Sequence, residues 1–105
     1  MASHSVFTRY IAKPRLGNSL IDILLKCHDI VSDADSCRHY IINQDDENPD
    51  HIWVCELWDT QEDHIISLSL DGCKELDVAA NHLLAAAPEQ IILKAVAGKG
   101  VAEYS

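Results

Sequence analysis

The chain has 105 residues, with 17 acidic against 8 basic side chains and a net charge of −9 at neutral pH. The Lys and Arg residues are scattered singly. No basic stripe exists to displace counterions from phosphates, so nucleic acid and anionic membrane surfaces are excluded as partners. A hydrophobic content of 48% fits one globular domain over residues 1–105, with a core over about 6–97 and short frayed ends.

No apolar run approaches the length of a membrane span. The opening "MASHSVFTRY" has no apolar signal core and no cleavage pattern, so a cytoplasmic location is expected. Cys27, Cys37, Cys55 and Cys73 form no C-x-x-C pair. In a reducing compartment they read as small buried hydrophobes rather than as disulfides or zinc ligands. Cys37-x-His39 is too small a set for a metal, and no metal site is expected.

The first predicted element is a strand over Val6 to Lys13, rich in β-branched and aromatic residues and stopped by Pro14. Asn18 or Ser19 then offers an N-cap. Leu20, Ile23, Leu24, Cys27, Ile30 and Val31 recur at helical spacing, which predicts an amphipathic helix over 19–33. Cys37 to Gln44 and His51 to Trp58 read as two strands of a hairpin. They are joined by "DDENPD", a solvated turn that lacks the glycine and terminal glutamate of a calcium loop. Thr60, with Asp63 three residues on, caps a short helix. Asp71 is expected to cap a further helix to about Ala87, with Leu76, Ala79, Ala80, Leu83 and Leu84 on one face. Pro88 ends it, and Glu89 to Ala97 is the last strand.

The order is βαββαβ, an α+β, ferredoxin-like arrangement with a four-stranded antiparallel sheet and helices on one face. In the first strand, Phe7 and Ile11 lie on one side and Val6, Tyr10 and Ala12 on the other. A sheet with two apolar faces calls for a partner, most simply a second copy across a two-fold axis.

The run "ELWDTQEDHIISL" (Glu56 to Leu68) resembles the antibiotic biosynthesis monooxygenase family, in particular its quinol-monooxygenase-like branch. The matching positions are Glu56, Trp58, Thr60, Glu62, His64, Ser67 and Leu68. Three further features are similar: "IAKP" at the end of the first strand, Cys37-x-x-Tyr40 opening the second, and the turn before the third.

The resemblance implies a dimeric α+β barrel, in which two subunits pack their open sheet faces together, and a pocket in each subunit between sheet and helices. It implies oxidation of quinols or other aromatics by O2 with no cofactor, neither metal nor flavin. The haem-degrading branch places an Asn, a Trp and a haem-ligating His where this chain has Thr8, Ser67 and Asp77, so haem chemistry is unsupported. The polyketide-oxidising members place an Asn where this chain has Val54. The general pocket pattern carries over, not a complete catalytic set.

Within that pattern His64 reads as a general base toward a phenolic substrate, or as a pocket-edge histidine bonded to Glu56 or to backbone. Trp58 and Glu56 share a strand face. Trp58 reads as core before it reads as a stacking surface for a flat ligand. Glu56 orients His64 or forms a salt bridge across a dimer, because a half-buried carboxylate needs a partner.

Tyr40 and Ser67 join the substrate-binding candidates, with Asn43 as a further one. Tyr40 lies on one face of the second strand, and His39 and Asn43 on the other; the sequence leaves open which face lines the pocket. His28 reads as solvent-facing or a satisfied core histidine, and His4, His51 and His82 read as surface.

The expected partners are a small-molecule substrate and a second copy of the chain. Against the monooxygenase reading stand an isomerase, a lyase or a binding protein of the same fold acting on a small metabolite, and a purely structural dimer.

Overall fold

The computed structural model describes residues 3–99. In chain order the elements are β1 (His4–Ile11), α1 (Gly17–Val31), β2 (Cys37–Gln44), β3 (His51–Trp58), α2 (Gln61–Ser67), α3 (Cys73–Leu83) and β4 (Glu89–Lys94). The four strands form one antiparallel sheet in the order β2-β3-β1-β4. This is the ferredoxin-like α+β arrangement expected from the sequence. Among the described residues no helix is long and apolar enough to cross a membrane.

The register explains how the two sheet faces divide. Even-numbered residues of all four strands fall in common rows. Tyr40 pairs with Glu56, Glu56 with Val6, and Val6 with Ile92. These side chains share the helix-covered face, because successive side chains alternate across a pleated strand. The odd-numbered row Ile41, Cys55, Phe7 and Ile91 crosses the opposite, uncovered face. Ile41, Ile91 and Leu93 there remain about half exposed.

The covered face carries two buried clusters. One joins Ala12, Leu20, Leu24, Ile52, Val54 and Ala80, drawn from the sheet, α1 and α3. The other joins Val6, Val31 and Trp58. Trp58 is wholly buried. A tryptophan removes roughly 150–250 Å² from water, worth several kcal/mol at about 25 cal/mol per Å².

The predicted caps hold at one helix and fail at two. Thr60 Oγ1 accepts from the Asp63 backbone N–H at 3.1 Å and donates to the Asp63 carboxylate at 2.9 Å, as the spacing implied. Neither Asn18 nor Ser19 caps α1, which begins two residues earlier than predicted, after Leu16. Its first turn is satisfied from the hairpin turn. Asp50 accepts from the backbone N–H of Gly17 at 2.9 Å and of Arg15 at 3.0 Å. Gly17 is required for this approach, since a Cβ there would stand 2.1 Å from the Pro49 carbonyl oxygen.

Asp71 does not cap α3; Gly72 occupies the N-cap in the left-handed region (φ 90°). α3 also ends at Leu83 rather than near Ala87. Leu84 turns extended and bridges Ala12, and the Lys13 N–H bonds the Leu83 carbonyl. β4 stops at Lys94, three residues short of the predicted Ala97. The predicted frayed end at Gly98 to Ser105 lies mostly outside the described residues.

Candidate functional site

A cavity of about 280 Å³ opens between the covered sheet face and the three helices. Leu24 and Ala80 of one core cluster and Val31 of the other form its apolar walls. Its inner wall is polar: Thr8, Tyr10, Tyr40 and Glu56 from the strands, facing His64 and Ser67 of α2. Asp77 and Asn81 of α3, with Gln90 of β4, are exposed and form its mouth.

His64 and Glu56 meet at the back of this cavity. His64 Nε2 stands 3.8 Å from Glu56 Oε1, with both side chains about 10% exposed. The Trp58 indole N–H donates to that same oxygen at 3.1 Å. Among the described residues nothing bonds Glu56 Oε2, which leaves that oxygen able to accept from a ligand.

Burial pushes the Glu56 carboxyl up to about 6, partly offset by the indole hydrogen bond. Burial, assisted by the neighbouring His4, lowers the His64 imidazole below its ordinary range. At neutral pH the pair is therefore a carboxylate beside an uncharged imidazole, the state in which His64 can accept a proton.

Trp58 fixes this pair from behind. It lies fully in the core and does not line the cavity, so it offers no stacking face to a ligand there. Its ring centroid is 5.5 Å from that of His64. The His4 ring, on the neighbouring strand, also meets His64, at a centroid distance of 5.3 Å. His4 is 8% exposed and its Nε2 has no hydrogen-bond partner. The expectation that His4 is a surface residue on a frayed end is thus corrected: it pairs with Trp58 and Lys94 as the first residue of β1. Its parity with Val6 and Thr8 was the available signal.

Of the residues singled out in the sequence, His64, Glu56, Tyr40 and Ser67 come together around the cavity. The Ser67 hydroxyl is already engaged, donating to the His64 backbone carbonyl, and so steadies the last turn of α2. Asn43 is not brought to the site. It lies exposed on the uncovered sheet face, donating to the carbonyls of Trp53 at 3.3 Å and Ile41 at 3.4 Å. The two readings of β2 are thereby resolved in favour of the Tyr40 face. His28 stays partly exposed beside Asp29.

The sequence reading missed Tyr10, Cys27 and Cys73 as cavity residues. Tyr10 shares strand parity with Val6, while Cys73 and Asp77 sit one helical turn apart. The expectation that all four cysteines are buried holds only for Cys73; the other three are partly exposed, and all four are free thiols. Desolvation and the nearby carboxylate Asp77 push the Cys27 thiol up to about 11. Burial first, then Glu56, raises the Tyr10 and Tyr40 phenols well above their ordinary range. Both remain protonated donors at neutral pH. Among the described residues no group of three or more His, Cys, Asp or Glu could hold a metal ion.

The arrangement is a closed-backed slot with apolar side walls, a polar inner wall and a proton acceptor at its end. The family model for antibiotic biosynthesis monooxygenase matches residues 4–78, from β1 through the first half of α3. No curated protein matches the chain. Among solved structures, a Chloroflexus aurantiacus protein carrying the same family designation is 31% identical, with a TM-score of 0.81 over 91% of this chain and 95% of that one. A Caulobacter crescentus protein with that designation is 18% identical, TM-score 0.84, over 91% and 92%. A conserved Methanosarcina mazei protein is 19% identical, TM-score 0.83, over 91% and 95%. The last two share the fold. With the family model spanning three of the four strands and the His64 helix, the chain belongs to the antibiotic biosynthesis monooxygenase family.

Proposed function

We propose that the protein is a cofactor-independent monooxygenase that oxidises a quinol or another small hydroxylated aromatic with O2. The observation that carries this reading is the His64–Glu56 pair at the closed end of the cavity, 3.8 Å apart and nearly excluded from solvent. A phenolic hydroxyl placed there gives its proton to the uncharged imidazole. The Glu56 carboxylate stabilises the imidazolium that results. Tyr10 and Tyr40, kept protonated by burial, donate hydrogen bonds to the phenolate left behind.

The electron-rich anion then reduces O2. In the overall reaction a 1,4-quinol with a free ring C–H becomes a 2-hydroxy-1,4-quinone. One oxygen atom enters the ring, and the other leaves as water with the two hydrogens given up by the substrate. Four electrons pass from substrate to O2, so no external reductant is required. Apolar walls of Leu24, Val31 and Ala80 suit a flat ring, and the cavity volume lies at the small end of ligand pockets, about 300–1,000 Å³.

The same reading includes a two-fold dimer joined through the uncovered sheet face, supported by the exposed row of Ile41 and Ile91 with Phe7 between them. Four free thiols accord with a reducing, cytoplasmic setting.

The test is turnover of 1,4-dihydroxynaphthalene and related quinols under ¹⁸O2, with mass spectrometry of the product. Incorporation of one labelled atom supports the monooxygenase. A quinone formed with no label and with hydrogen peroxide as co-product shows oxidase or spontaneous chemistry instead. The polar inner wall of Glu56 and Thr8, with Gln90 at the mouth, favours a second reading, an isomerase or lyase on a small hydroxylated metabolite. In that case the same His64–Glu56 pair would shuttle a proton without consuming O2.

A further inference from the structure

Charge around the cavity is strongly one-sided. Glu56 lies at the inner end and Asp77 at the mouth, and among the described lining residues there is no Lys or Arg. Lys74 sits one helical turn before Asp77 but does not line the cavity, and no ion pair joins the two. Arg9, on the other sheet face, is engaged by Glu89 at 2.6 Å. His64 is the cavity's only basic side chain among the described residues, and burial keeps it uncharged at neutral pH.

Hydrogen-bonding capacity is also unevenly distributed. Gln90 gives one of its two amide N–H groups to the Thr8 hydroxyl at 3.2 Å, and its carbonyl oxygen is an acceptor in the cavity lining, as is the Asp77 carboxylate. Among the described residues Asp77 has no hydrogen-bonded or ionic partner. An incoming ligand therefore meets an unpaired carboxylate at the mouth, with only the neutral amides of Asn81 and Gln90 as donors beside it. A carboxylate or phosphate at the outer end of that ligand would stand near the Asp77 carboxylate with no cation in the described lining to receive it. A hydroxyl or protonated amine would find partners at the same points.

We propose that the cavity takes ligands carrying hydroxyl or amino donors and no acidic group, and that Asp77 at its mouth is the residue that sets this selection against anions. The proposal rests on the aromatic-substrate reading for the ring that fills the cavity, but it concerns binding and not the reaction with O2. Asp77 acts on the ligand's outer end, away from His64, and so determines which substrate enters without taking part in the chemistry.

The experiment compares 1,4-dihydroxynaphthalene with its 2-carboxylate, titrated into the full-length protein under anaerobic conditions by calorimetry, so that no turnover is needed. Wild type is expected to bind the uncharged ring at least about tenfold more tightly, the effect of one like-charge contact in a partly desolvated site. Asp77→Asn narrows this ratio and Asp77→Lys inverts it, with helix content checked by circular dichroism for each variant.

Equal affinities in wild type, or a preference for the carboxylate, overturn the proposal. A ratio unchanged in Asp77→Lys overturns the assignment to Asp77. Failure of both rings to bind overturns it together with the aromatic reading. Selective binding without oxygen uptake overturns the monooxygenase reading and leaves the charge selection standing.

Discussion

Replacing Glu56 by Gln isolates the electrostatic cost of the site. In the folded protein burial holds the carboxyl near 6, against an ordinary value of 4.5. The folded state thus binds a proton that the unfolded state has already released between these two values. Stability must fall as pH rises through that window, since the unfolded chain binds fewer protons there. A difference of 1.5 in pKa corresponds to about 2 kcal/mol at 1.36 kcal/mol per unit. Glutamine keeps an oxygen to accept the Trp58 N–H and cannot ionise. Urea unfolding of both proteins between pH 4 and pH 8 should show the variant gaining on wild type by about 2 kcal/mol across the range. The gain should be concentrated between pH 4.5 and 6.5. The same variant should lose turnover, because the imidazolium partner is gone. A stability difference that is flat with pH, or that grows as pH falls, would refute the claim that Glu56 is held ionised at a cost.

Other perturbations test separate links. The lowered imidazole of His64 places the acidic limb of the kcat/KM profile below pH 6.5, since the base form persists to lower pH than for a free histidine; a limb at or above 7 contradicts the assignment. Gly17→Ala should destabilise by about 3 kcal/mol, because the new Cβ overlaps the Pro49 carbonyl; thermal melts check it, and a loss within 0.5 kcal/mol is the contrary result. Asp50→Ala, which leaves two N–H groups unpaired at the start of α1, should cost about 1–2 kcal/mol in the same melts. Ile91→Lys on the uncovered sheet face should shift sedimentation from dimer toward monomer, and an unchanged coefficient would remove that face from the interface.

The order of elements along the chain and the β2–β3 hairpin were legible, because the strands are rich in β-branched and aromatic residues and the "DDENPD" turn joins two of them directly. His64 and Glu56 were singled out through the resemblance of the Glu56 to Leu68 run to the family's motif, and the helix cap at Thr60 placed His64 near the start of α2. What escaped depends on tertiary contacts. The Asp50 cap reaches its helix from 33 residues away, beyond any local motif. His4 looked like part of a loose polar end, yet pairing with Trp58 draws it into the site. α3 stops early because Leu84 gains a bridge to Ala12 in place of another helical turn. Asn43 could not be excluded from the pocket by period-two reasoning alone. Only the register with Glu56 shows that Tyr40 faces the helices.

The central claim is that His64 is the base of an oxygen-consuming reaction. Its most direct test is oxygen uptake with a panel of reduced quinols and dihydroxynaphthalenes, comparing wild type with His64→Ala after subtraction of autoxidation. The account predicts uptake by wild type that falls to background in His64→Ala while the variant keeps its helix content and its oligomeric state. Undiminished uptake in His64→Ala, or none above background in wild type across the panel, would contradict it.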